Sequence, residues 1–204
     1  KKDENDKSSN PKRILEIGCG DVPLGADFCN DMLEMQKQTG SNAKSVVNQI
    51  ICCDYSDTVI QMLKERQQLL LDKNNNDNNP DKKKKEENLT LLDVQYEVAD
   101  ARKLNYDDGF FDVIIDKGTL DAMLSDKEYG VSNCKAIVAE VARVLSVGGY
   151  FMLISHLNAN TSSGIEWIDE ILVSGLRTGG DKSAKWVVEC HSADMNNDDS
   201  MEEM

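Results

Sequence analysis

Histidine is almost absent from this chain, with two in 204 residues. The six cysteines, Cys19, Cys29, Cys52, Cys53, Cys134 and Cys190, form no Cys-x-x-Cys pair. Zinc-ligand spacing is therefore missing, and no metal site is expected. Cys52 and Cys53 are adjacent in one apolar run, so in a strand they face opposite ways. All six cysteines read as reduced thiols of a cytosol-like compartment, which makes a cytoplasmic location the expectation. Aromatic residues are few, at 5%. Basic residues are outnumbered, 23 Lys and Arg against 37 Asp and Glu, for a net charge of −14. That balance argues against nucleic acid, because favourable counterion release needs Lys and Arg. It suits a basic protein partner or none. No apolar run reaches the roughly 18 residues needed to span a bilayer, so no membrane segment is expected. The polar start, Lys1 to Asn10, does not read as a signal peptide, and the missing initial Met suggests a domain trimmed from a longer protein.

What is present is an alternation of short aliphatic runs with helical patterns. Ile14 to Ile17 reads as a buried strand. Leu24 to Gln38 carries Leu24, Phe28, Met32 and Met35 at roughly helical spacing. Val46 to Cys53 is a second strand, and Thr58 to Leu71 a helix with Asp57 as its expected N-cap. Strands three to five are expected at Asp93–Ala99, Phe111–Asp116 and Tyr150–Ser155. Helices are expected at Val131–Leu145, stopped by Gly148-Gly149, and at Gly164–Ser174. Lys185 to His191 reads as a sixth strand. Strands separated by helices imply parallel crossover units. The fold class is thus α/β, a doubly wound, mostly parallel Rossmann-like sheet with helices on both faces. The domain is expected over residues 13–191, behind a polar tail at 1–12 and ahead of an acidic tail at 192–204. Residues 72–88 are a run of Asn, Asp and Lys with little to bury, expected as a disordered surface insertion.

Chemistry gathers at the strand ends. The first strand runs into Glu16-Ile-Gly-Cys-Gly20, a turn where Gly18 and Gly20 let backbone approach a ligand closely. Asp54 ends the second strand, Asp100 follows the third and Asp116 ends the fourth. In open α/β sheets ligands bind at this end. A strand-end acid has a plain structural use as a cap or turn former; its recurrence on four strands favours a cofactor site. An acid after strand two suits two ribose hydroxyls, and Asp100 suits an adenine amino group. The dinucleotide fingerprint Gly-x-Gly-x-x-Gly is broken, since Pro23 stands at the third glycine position. No P-loop occurs. Acids around the turn repel a pyrophosphate and suit a cationic nucleoside. S-adenosylmethionine has that chemistry.

With those residues on the page, the chain resembles the class I S-adenosylmethionine-dependent methyltransferases. Glu16-Ile-Gly-Cys-Gly20 is similar to their first motif, and Asp54-Tyr55-Ser56 to the motif after the second strand. Asp100-Ala101-Arg-Lys-Leu104 and Phe110-Phe-Asp-Val-Ile-Ile-Asp116-Lys117-Gly118-Thr-Leu-Asp121-Ala122 resemble the group that includes the lysine methyltransferases of translation elongation factor 1-alpha. Arg143 to Gly149 is similar to the segment before strand five, although Val147 stands where that family usually has proline. The Tyr-Trp motif that family carries upstream of the first strand has no match here. The resemblance implies that Gly18, Cys19 and Gly20 line the methionine moiety, Asp54 and Tyr55 the ribose, and Asp100 with Ala101 the adenine. It places Glu16 at the cofactor turn, Asp116, Lys117 and Gly118 beside the sulfonium, and Asp121 near the substrate mouth; Asp116 or Asp121 is then either the acid that orients a substrate amine or a structural acid at a strand end or helix start. It implies methyl transfer to a protein lysine, with elongation factor 1-alpha as a possible protein partner. The alternatives are a small-molecule or RNA methyltransferase, or a degenerate cofactor-binding domain acting through protein interaction. After His191 no apolar run remains for a seventh strand, so the last strand is expected to be missing from the sheet.

These motifs predict cofactor selectivity. Calorimetry should show binding of S-adenosylhomocysteine and none of NAD; tight NAD binding without a response to S-adenosylhomocysteine would contradict the reading.

Overall fold

The computed structural model describes residues 12–25, 27, 28, 31, 38, 47–76, 94–157 and 160–191. Five strands form one sheet: β1 (Lys12–Ile17), β2 (Val47–Asp54), β3 (Val94–Val98), β4 (Phe111–Lys117) and β5 (Leu145–Ile154). Their order is β3-β2-β1-β4-β5, and every neighbouring pair is parallel. The chain moves outward from β1 to β3, then returns to place β4 on the other side of β1. The reversal lies between β1 and β4, where a doubly wound sheet opens its ligand crevice.

Burial on both faces explains the near-continuous aliphatic strands. On one face Ile14, Ile50 and Cys52 pack with Ile60 and Leu63 of α1 (Asp57–Asn76). On the other, Leu15, Ile17, Ile51, Cys53 and Ile114 pack with Ile137, Val138 and Val141 of α3 (Gly130–Val144). Cys52 and Cys53 thus lie on opposite faces, as a two-residue period requires. A short α2 (Thr119–Met123) follows β4 directly. After β5 a helical segment runs from α4 (Ser162–Trp167) through a π-helical stretch (Ile168–Val173) into α5 (Ser174–Thr178). Residues 24, 25, 27, 28, 31 and 38 are helical, in line with the first helix expected from spacing. Among the described residues no helix is long and apolar enough to cross a membrane.

Several boundaries differ from the sequence reading. The α1 cap is Ser56, whose hydroxyl accepts the Val59 amide at 3.3 Å; Asp57 is already in the first turn. α1 continues to Asn76, so the insertion expected at 72–88 begins inside a helix, and its remainder at 77–88 lies outside the described residues. So do residues 1–11 and the acidic tail after His191. α3 ends at Val144, not at Gly148-Gly149, because Leu145 turns extended and pairs with Phe111. The sixth strand expected at Lys185–His191 is not a strand. Its Val187 is 81% exposed. A strand requires a partner ladder, and none is offered to this segment among the described residues; only Trp186 packs against the core.

Arg143, in the last turn of α3, fixes the loop between β3 and β4. Its guanidinium donates to both carboxylate oxygens of Glu140 at 2.9 and 2.8 Å, to Asp108 at 2.8 Å, and to the carbonyls of Leu104 and Tyr106 at 2.9 and 2.7 Å. Glu140 also accepts the Leu104 amide at 2.8 Å. The Arg143 hydrogen bonds hold the Glu140 carboxyl below its ordinary range. A depressed acid stabilises the fold above its unfolded pKa and loses that contribution as pH falls through the folded value. Glu140→Gln is therefore expected to cost about 1–2 kcal/mol near neutral pH. Urea unfolding should show the gap to wild type closing below about pH 4, past the ordinary Glu range.

Candidate functional site

The carboxyl ends of the strands form one continuous rim. Ala99 after β3 donates to the Asp54 carbonyl at 2.9 Å, Cys19 after β1 to the Cys53 carbonyl at 3.0 Å, and Gly118 after β4 to the Ile154 carbonyl at 3.0 Å. The turn after β1 needs its glycines for two different reasons. Gly18 (φ 57°) has no room for a Cβ, which would overlap the side chain of Thr119. The Thr119 hydroxyl donates to the Ile17 carbonyl at 3.0 Å and so ties α2 to the turn. Gly20 (φ 61°) has no atom within 4 Å of where a Cβ would stand. Its surface is open, which is what a ligand lying on the backbone requires.

Three buried carboxylates sit on this rim, and each holds two backbone amides. Glu16 accepts the amides of Leu24 and Gly25 at 3.0 and 2.8 Å, at the first helical residues after Pro23, and the Cys52 thiol at 3.5 Å. Asp54 accepts Gly20 and Ser56 at 3.0 and 2.9 Å. Asp116 accepts Thr119 and Leu120 at 2.7 and 3.2 Å, across the start of α2. Burial pushes the Asp116 carboxyl up, against the pull of those two amides. The Cys19 thiol is buried too; burial first, then the Glu16 and Asp54 carboxylates, push it up to about 12, so it stays a neutral thiol and not a nucleophile.

The structure thus brings Glu16, Gly18, Cys19, Gly20, Asp54, Asp116 and Gly118 together through hydrogen bonds. Tyr55 stands beside Asp54 and is 76% exposed, leaving its ring free to cover a ligand. Ala101 is half-buried and Lys117 exposed. Asp100 is different. Its carboxylate receives Arg102 Nε and Nη2 at 2.9 and 2.7 Å and the Arg102 amide at 2.9 Å, and these bonds hold its carboxyl low. It stands on the same rim but is already engaged by its neighbour.

A nucleoside cofactor can be tested against this donor set. An ionised carboxylate has about four acceptor positions. Asp54 spends one on each oxygen, which leaves two for a vicinal diol. The turn from Gly18 to Gly25 contains no Lys or Arg, so it has no side-chain cation for a phosphate. The residues present fit S-adenosylmethionine. Among the described residues no group of His, Cys, Asp and Glu could hold a metal ion.

Asp121 reaches across the rim. It accepts the Ser155 hydroxyl at 2.6 Å and the His156 amide at 3.1 Å, with His156 Nδ1 at 3.0 Å. Neither Ser155 nor His156, nor Thr119 and Ser56, was singled out from the sequence. For Ser155 and His156 the signal was available: they directly follow β5, at the same strand end as the acids.

Comparison with known proteins follows this geometry. The family described as "Methyltransferase domain" matches residues 8–172. The eEF1A lysine and N-terminal methyltransferase of Xenopus laevis is 30% identical over 180 residues, covering 88% of this chain and 19% of that protein. EEF1A lysine methyltransferase 4 of Mus musculus is 38% identical over 66 residues, 29% of this chain and 26% of that protein. A solved S-adenosylmethionine-dependent methyltransferase from Methanosarcina mazei is 18% identical, with a TM-score of 0.49 over 77% of this chain and 58% of that one. The chain spans about a fifth of the length of the Xenopus relative.

The two glycines should respond differently to a methyl group. Gly20→Ala is expected to cost about 1–2 kcal/mol, the strain of a left-handed alanine. Gly18→Ala adds the collision with Thr119 and should cost clearly more. Urea midpoints of the two variants compare them directly.

Proposed function

The chain belongs to the class I S-adenosylmethionine-dependent methyltransferases, and on that footing we propose that it methylates a lysine of a protein, with translation elongation factor 1-alpha as the substrate to try first. The observation that carries the reading is the pairing of the open Gly20 surface with the buried Asp54 carboxylate, whose count of remaining acceptor positions suits a ribose diol. The substrate class is supported by the names of the relatives, an eEF1A lysine and N-terminal methyltransferase and EEF1A lysine methyltransferase 4. The acidic balance of the chain, net −14, suits a basic protein and disfavours RNA. A cytoplasmic setting follows from the same substrate.

When bound, S-adenosylmethionine supplies a methyl group on a positively charged sulfur. The chain's own residues do the positioning. Gly18 and Gly20 would bring backbone against the methionine part. Asp54 would hold the ribose, with Tyr55 beside it, and Ala101 would line the adenine. Glu16 holds the turn in shape through Leu24 and Gly25. Asp116 holds α2, and through it Gly118 and Asp121. Because transfer is a displacement in line, orientation supplies most of the acceleration. A lysine of ordinary pKa near 10.4 must first lose a proton, at a cost of roughly 4–5 kcal/mol at neutral pH. The acidic rim attracts the charged side chain, and desolvation at the site favours its neutral form.

The test is transfer of a labelled methyl group to purified elongation factor 1-alpha and to a cell lysate. One labelled protein band that disappears when its lysine is replaced supports the proposal. Labelled RNA or metabolite, or no label at all, overturns the substrate. Asp54→Ala should weaken S-adenosylhomocysteine binding by about 2–5 kcal/mol. An unchanged dissociation constant in a folded variant would remove Asp54 from the site.

A further inference from the structure

We propose that His156, oriented by Asp121, is the group that takes the proton from the substrate amine; the proposal rests on the protein-lysine reading above. Asp121 belongs to α2, and its side chain is 12% exposed. One of its oxygens accepts the Ser155 hydroxyl at 2.6 Å. The other accepts the His156 amide at 3.1 Å and lies 3.0 Å from His156 Nδ1. Ser155 in turn accepts the Leu157 amide at 3.0 Å, which closes the turn after β5. A carboxylate only accepts, so the ring nitrogen 3.0 Å from it is the one that carries the proton, and the lone pair is left on Nε2. The His156 side chain is 75% exposed, so that lone pair stands at the mouth of the rim and not in the core. The turn is tied to the β4 exit by the Gly118 amide on the Ile154 carbonyl, at 3.0 Å. Gly118 itself is left-handed, at φ 80°, and a Cβ there would lie 4.0 Å from Asp121.

The proton step balances. An N–H bond of the lysine ammonium breaks, its electron pair stays on nitrogen as the nucleophile, and the proton forms Nε2–H on His156. The exposed ring then returns the proton to water. The Asp121 carboxylate lies 3.0 Å from Nδ1, on the side of the ring away from the proton taken up. The other titratable groups on the elements packed against this turn are Asp116 and Lys117 at the end of β4, and Cys134 of α3, whose thiol donates to the Leu120 carbonyl at 3.4 Å. Asp116 is committed to the α2 amides, and burial pushes the Cys134 thiol up to about 11. Lys117 is a donor. His156 is the group in this set with an acceptor facing outward.

Two measurements test this in the full chain. The first needs no substrate. A long-range proton–nitrogen spectrum under alkaline conditions should show His156 as the Nδ1–H tautomer, with His191 as internal reference. Asp121→Ala should return it to the Nε2–H form that free imidazole prefers. An Nε2–H tautomer in the wild-type chain would overturn the proposal. The second compares His156→Gln with wild type in methyl transfer to protein. kcat/KM should fall about 100-fold or more near pH 7. The gap should narrow toward pH 10, where the amine arrives neutral without help. An unchanged rate, or a loss that stays constant across pH, would overturn the base role. A wild-type chain that labels no protein overturns the substrate reading instead, and the tautomer then decides the Asp121–His156 pairing alone.

Discussion

A carboxylate buried near the end of a strand, holding two backbone amides of the turns at the strand exits, recurs three times in this molecule. Glu16 holds Leu24 and Gly25, Asp54 holds Gly20 and Ser56, and Asp116 holds Thr119 and Leu120. A buried charge is costly unless it is hydrogen-bonded, and a helix start has amides that lack partners. Each problem is solved by the other. The three acids therefore shape the rim before any ligand arrives. The glycine turn, the start of the helix after it and the start of α2 are all set by this one device.

The same device accounts for what the sequence could and could not show. The strand positions were legible because doubly buried parallel strands are runs of Ile, Val and Leu, and they could be read within a few residues. The acids were legible as a set, since they recur at strand ends. Their division of labour was not. Glu16, read as a ligand residue, also accepts two backbone amides and the Cys52 thiol. Asp100, read as an adenine partner, is held by Arg102, two residues on. Side chains that satisfy their own neighbours leave no mark in a sequence pattern. Ser56 and Thr119 were missed for the same reason, being small polar residues whose use is defined by a backbone group that only the fold brings near.

The segment at Lys185–His191 fails in the opposite sense. Its Trp-Val-Val run has the composition of a strand, yet composition supplies only a preference, and a strand needs a neighbour. β5 pairs with β4 alone among the described residues, and its Tyr150, Met152 and Ile154 are exposed. Apolar side chains run without a break from Tyr150 to Ile154, as they would in a strand covered on both faces. The pattern of β5 thus shows more burial potential than the described residues use, and the run at Lys185–His191 shows the same. Both were read as strands from sequence, and only the one with a partner ladder is a strand.

Asp116 and Asp121 lie five residues apart and looked equivalent in the sequence, either one able to orient an amine. Their surroundings separate them. Asp116 is fully buried, its carboxyl is pushed up by desolvation, and both oxygens serve α2. An acid so placed is costly to ionise, and each of its oxygens already serves the start of the helix. Asp121 is in the first turn of α2 itself, where it bridges to the residues after β5. Its oxygens add a side-chain tie between α2 and the turn after β5, beside the Gly118 amide on the Ile154 carbonyl. An acid that ties together two strand exits at the rim can transmit the position of one to the other, and one sealed beneath a helix cannot. The acid that builds the site and the acid that can act in it are therefore different residues, and the distinction comes from solvent and hydrogen-bond partners, not from the letters of the motif.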